Sequence, residues 1–145
     1  MGLLDKWFPK KEESGPFMEH PSGDFETALD AIEDAVSRLR KLPKWDQWIT
    51  FCAQGQGASP ESYHMADIRM LGDKLQFEAE GLQVSEIIKA AGCSPGALTF
   101  DGESFSVANA SPREVAQILD TVFRQHFKIR PFPDEGDDYA VGAEW

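Results

Sequence analysis

The sequence predicts an α+β domain in which helices pack on an antiparallel sheet. Apolar stripes of helical period stand at both ends of the central region, at Phe25–Leu39 and Val115–Phe123. Period-two alternation fills much of the space between them, and the turn pairs Gly72-Asp73 and Asp101-Gly102 join strands directly. Hairpin-joined strands interrupted by helices argue against a parallel βαβ arrangement. The expected order is α-β-β-β-α-β-β-α, a five-stranded antiparallel sheet with three packed helices.

The first helix carries Phe25, Ala28, Leu29, Ile32, Ala35, Val36 and Leu39 at i, i+3, i+4 spacing. Asp24 is a natural N-cap, Arg38, Arg40 and Lys41 suit the negative end of the dipole, and Pro43 stops the helix. Trp48–Gln54 follows as a strand with Ile49, Phe51 and Ala53 on one side. Gly55–Pro60 reads as a loop. Tyr63–Leu71 alternates again, placing His64, Ala66, Ile68 and Met70 together, and Leu75, Phe77 and Ala79 mark the returning strand. These three strands make a meander.

A short helix is expected over Val84–Ala91, ended by Gly92. Ala97–Phe100 and Glu103–Ala108 pair across Asp101-Gly102. The last helix opens on a capping box, with Ser111 as N-cap, Pro112 at the first turn and Glu114 three residues on. Its buried stripe is Val115, Ile118, Leu119, Val122 and Phe123. Residues 1–23, rich in proline and glycine after Lys10, read as a flexible leader; residues 24–129 read as a single domain. Residues 130–145 read as an extended acidic-aromatic tail, folded back as a strap with Tyr139 and Trp145 as anchors.

Composition narrows the function. The chain has 145 residues and a formal charge of −11, and acids outnumber bases in leader, domain and tail alike. No basic stripe exists, so nucleic-acid binding is not expected. No apolar run reaches the roughly 20 residues of a membrane-spanning helix, so stable membrane insertion is not expected either. The opening lacks the apolar stretch of a secretory signal, and Leu3, Leu4, Trp7 and Phe8, at helical spacing beside lysines, read either as a short interfacial anchor or as a segment docked on its own domain. Cys52 and Cys93 read as reduced thiols of a cytoplasmic protein.

No catalytic pattern stands out. His20, His64 and His126 form no metal-ligand spacing, and the acidic run Asp134–Asp138 misses the calcium-loop pattern, so no metal site or cofactor is expected. Gly55-Gln56-Gly57 lacks the third glycine and the lysine of a phosphate loop. Cys52 and His64 are the one pair assignable as nucleophile and base, but a cysteine within an apolar strand is usually inert core. The chain is therefore not expected to be an enzyme.

What exceeds the needs of a core is aromatic. Trp45, Trp48 and Tyr63 cluster around the first strand, and Tyr139 and Trp145 lie in the tail. Such side chains are over-represented at recognition surfaces. The structural alternative is that one tryptophan caps the core while the other covers the end of the first helix.

The element order, with the helix at Phe25–Leu39, the Gly72-Asp73 turn, the Asp101-Gly102 hairpin and the capped last helix, resembles the type III secretion chaperone fold and its YbjN-like relatives. The likeness covers about residues 24–129 and extends to small size and acidic charge. It implies binding of extended peptide segments along helix and sheet surfaces and a possible homodimer, and it carries no catalytic residues over. The expectation is a non-catalytic protein- or peptide-binding module with chaperone-like recognition. Its alternative is a regulatory protein acting through flexible N- and C-terminal segments.

Overall fold

Alternation along the strands decides where the core lies. A computed structural model describes residues 18–20, 25–42, 48–57, 62–132 and 138–144, and its one sheet is antiparallel at every pairing. The strands are β1 (Met18–His20), β2 (Ile49–Gln56), β3 (Tyr63–Leu71), β4 (Lys74–Gln76), β5 (Thr99–Phe100), β6 (Phe105–Ser106) and β7 (Ala140–Glu144). The helices are α1 (Ala28–Arg40), α2 (Val84–Ala91) and α3 (Pro112–Thr121). In β2, Ile49, Phe51 and Ala53 are buried; in β3, Ala66, Ile68 and Met70 are buried, while Tyr63, Met65, Asp67 and Arg69 face out. One face of the sheet thus meets the helices, and the other, on which Tyr63, Met65, Asp67 and Arg69 are exposed, is the open face among the described residues.

The helices supply the rest of the core. α1 buries Ala28, Ala31, Ile32, Val36 and Leu39, and α3 buries Val115, Ala116, Ile118 and Leu119, as the stripes require. The cap of α1 is Thr27, whose hydroxyl accepts from the Asp30 amide at 3.1 Å. That is three residues after the expected Asp24, which lies outside the described residues. α2 begins and ends where its periodicity predicts, and Gly92 adopts φ 73° at its C-terminus, a conformation that favours glycine. Both halves of the capping box on α3 form.

After Thr121 the helix widens into a π turn, Val122–His126, closed by the Phe127 amide donating to the Val122 carbonyl. Lys128 then takes φ 60° and turns the chain sharply toward β2. Gln56 pairs there with Arg130, so β2 runs through Gly55 and Gln56, where a loop was expected. Gly55 makes this crossing possible: a Cβ at that position would stand 2.0 Å from the Arg130 carbonyl oxygen. The Asp101-Gly102 hairpin is shorter than expected, with a four-residue connection in which the Asp101 carboxylate accepts from the Glu103 and Ser104 amides.

The larger correction concerns the ends. Among the described residues the sheet has seven strands, not five, in the lateral order β1-β7-β2-β3-β4-β6-β5. Residues assigned to the leader form β1, and residues assigned to the tail form β7, paired to β1 on one side and to β2 on the other. Among the described residues the element order therefore begins and ends with a strand, and the domain extends past residues 24–129 on both sides. The described stretch Ala140–Glu144 is a strand of the sheet and not a strap laid over the fold. Tyr139, Val141 and Ala143 alternate at strand spacing, and all three side chains enter the core.

Candidate functional site

The meander β2-β3-β4 leaves a gap in its own sheet. β3 is paired with β2 from Tyr63 to Met70, but β4 meets it only at Arg69↔Gln76, Met70↔Leu75 and Leu71↔Lys74. Past Gln76 the chain splays away. On that side residues 63–68 of β3 have no strand partner among the described residues. Into the gap opens a cleft of about 690 Å³, lined by His64–Asp67 and Arg69 of β3, Gln76–Glu78 of the splayed segment, and Phe127.

The register explains why pairing stops. Continued by two residues, it would set Asp67 directly opposite Glu78 on the open face. Like charges directly opposite one another destabilise an antiparallel pair. Neither carboxylate has a hydrogen bond or ion pair among the described residues. Arg69 does not neutralise them, because its guanidinium lies over the Trp48 ring, 4.6 Å from the centroid, on the β2 side.

Both walls of the gap are held by the π turn. His126 donates from Nε2 to the Glu78 carbonyl at 3.0 Å, and His64 donates from Nε2 to the Phe127 carbonyl. A carbonyl only accepts, so Nε2 is the protonated nitrogen in each ring. Phe77 is pulled to the core side, stacked on Phe105 at 5.0 Å and edge-on to Phe127 at 6.0 Å. The splayed segment is thus packed where it lies, and the gap is part of the folded architecture. Two histidines that form no metal-ligand spacing in the sequence bind the two walls of the gap to the π turn. Their strand and helix positions were readable, but their acceptors, 63 and 48 residues away, were not.

The aromatic candidates divide. Tyr63 and Met65 stand on the open face at the gap, 72% and 56% exposed, with Phe132 edge-on to Tyr63 at 6.0 Å. Trp48 is 37% exposed and occupied with Arg69. Trp45 and Trp145 lie outside the described residues. Tyr139 is a correction, being fully buried and unavailable to a partner. Its hydroxyl donates to Asp120 at 2.8 Å, Arg124 lies over its ring, and its hydroxyl is pushed well above the usual phenol range by burial and then by Asp120.

Asp138 completes that lock. Its carboxylate accepts from the Ala28 amide at the N-terminus of α1 and from Arg124 at 2.9 Å. The charges satisfy one another around a shallow hollow of about 440 Å³ beside Thr27 and Leu29. Their work is to fasten β7 to α1 and α3.

The geometry separates Cys52 from His64. Cys52 pairs with Asp67 and His64 with Gly55, a register that puts the two side chains on opposite faces of the sheet. Burial, and then the Glu114 charge, push the Cys93 thiol up, away from the thiolate that nucleophilic chemistry requires. Among the described residues no group of acids, histidines and cysteines is placed to hold a metal ion, and no helix is long and apolar enough to cross a membrane. Compared with protein-family models, with curated proteins and with solved structures, the chain has no match.

Proposed function

We propose that this protein is a non-catalytic binding module that takes an extended segment of a partner protein or peptide along the open edge of β3. The observation that carries the reading is the unpartnered stretch 63–68 beside a preformed cleft. A strand edge presents a row of backbone donors and acceptors, and a segment of suitable shape completes the sheet through them. About 20 Å of strand is on offer, enough for a peptide of roughly six residues. Tyr63 and Met65 supply exposed apolar surface beside it, and the histidine-held walls keep the edge from closing. Chaperone-like recognition, as the resemblance to secretion chaperones implies, belongs to the same proposal.

The rival reading, action through the terminal segments, is weaker at the C-terminal end. Ala140–Glu144 is hydrogen-bonded on both edges and cannot serve at the same time as a linear motif read by another protein. Nor does Ala140–Glu144 cover the β3 cleft, from which β2 and β3 separate it.

The test is capture of partners from clarified lysate with the wild-type chain, Met65→Glu and Trp48→Ala in parallel, followed by hydrogen exchange on the captured complex. A partner lost with Met65→Glu that protects amides 63–68 is the expected result. A partner indifferent to Met65 that leaves those amides unprotected sinks the proposal.

A further inference from the structure

The open edge carries chemical information about what fits it, and on the strand-addition reading just given, we infer that the segment it accepts is basic. The two carboxylates that prevent β4 from continuing are the reason. Asp67 and Glu78, both exposed, line the same cleft from β3 and from the splayed segment, and the register of β3 and β4 continued by two residues would set them opposite each other. Any strand entering the gap lies between them. A lysine or arginine at that point meets two carboxylates that have no other partner among the described residues; a glutamate there meets the repulsion that ended β4. His64 and Arg69 are the remaining titratable groups of the cleft. His64 is bound to the Phe127 carbonyl on the core side, and Arg69 is drawn toward Trp48, so neither offsets the acids at the mouth.

Side-chain period extends the inference to a pattern. Tyr63, Met65 and Asp67 lie in a row on the open face, about 7 Å apart. A strand beside them sets alternate residues against that row, so apolar groups lie beside Tyr63 and Met65 and the basic group beside Asp67. The recognised segment is apolar at two alternate positions and cationic at the next, with the overall charge of the chain, −11, favouring its approach.

The experiment uses the full chain, isotope-labelled, and three synthetic peptides with valine at two alternate positions, threonine at the positions between, and lysine, glutamine or glutamate at the next alternate position. Backbone amides are followed by NMR. The expected result is that the lysine peptide shifts amides 63–68 and binds most tightly, the glutamate peptide does not bind, and added salt weakens the complex. In the double variant Asp67→Asn with Glu78→Gln, whose two sites are exposed, the lysine peptide binds about tenfold more weakly. Unchanged circular dichroism and thermal midpoint show that this variant is folded.

Equal binding of the lysine and glutamine peptides at 63–68, or binding indifferent to the double variant, overturns the inference and leaves strand addition standing. No shift at 63–68 with any peptide overturns both. Shifts at 63–68 that grow with protein concentration in the absence of peptide assign the edge to a second copy of this chain, and overturn the inference likewise.

Discussion

The two flanks of the central hairpin β2-β3 were handled in opposite ways by the same chain. The outer edge of β2 is covered by β7, a strand brought from the far end of the sequence; the outer edge of β3 is abandoned by β4, its immediate neighbour in sequence. Proximity along the chain therefore did not decide which flank closed. Side-chain chemistry did. Against β2, β7 sets Ala143 opposite Phe51, Gly142 opposite Cys52 and Val141 opposite Ala53, with no like charges facing. It is then fastened by Tyr139 on Asp120 and by Asp138 on α1 and Arg124. Against β3, the continuation of β4 would set carboxylate on carboxylate. One flank is built to stay closed and the other to stay open.

Breaking the closed flank should have the largest effect. Tyr139→Ala empties a fully buried aromatic site and strips Asp120 of its hydroxyl donor, and should lower stability by about 3–5 kcal/mol in chemical denaturation. A loss under about 1 kcal/mol would mean that β7 is an ornament on a fold that stands without it.

Sharpening the comparison at the open flank calls for one charge reversal. Glu78→Lys turns the repulsive pair with Asp67 into an attractive one, worth about 0.2–1 kcal/mol across an antiparallel pair. Pairing of β4 with β3 should lengthen, hydrogen exchange at Ala66 and Asp67 should slow, and binding of a basic peptide should fall. Unaltered exchange would show that the His126 and Phe105 contacts, and not the carboxylates, hold the gap open.

The smallest effect concerns α3, whose Asp120 fastens the closed flank. Backbone amides of Ser94 and then Ser111 hold the Glu114 carboxyl below its ordinary range. A carboxyl whose folded value is depressed adds stability above its unfolded value, near pH 4.3, and that contribution is lost as pH falls through the folded value. Glu114→Gln should therefore be less stable than the wild type at neutral pH, and the two should converge as pH falls through the depressed folded value. A difference constant from pH 7 down to pH 3 would show that the carboxylate charge is not what the cap uses.

Local signals were legible wherever a residue's role depends on neighbours in sequence. The capping box of Ser111 and Glu114, the left-handed Gly92 and the alternation over Tyr63–Leu71 all act within a few residues, and each took the place its spacing implies. Even β7 left a trace in the spacing of Tyr139, Val141 and Ala143, but between prolines, acids and the chain end that period-two run resembled a strap.

The sequence by itself determined the α+β class, the three helices and the meander, because periodicity and capping are local matters of backbone geometry and solvent. Tertiary structure alone decided that the tail enters the sheet, that Tyr139 is core and not recognition surface, and that two histidines brace a gap beside β3. Each of those facts depends on a partner dozens of residues away. Which edge of a sheet is covered is settled by the packing and charge of whatever the fold brings beside it, and no local pattern carries that.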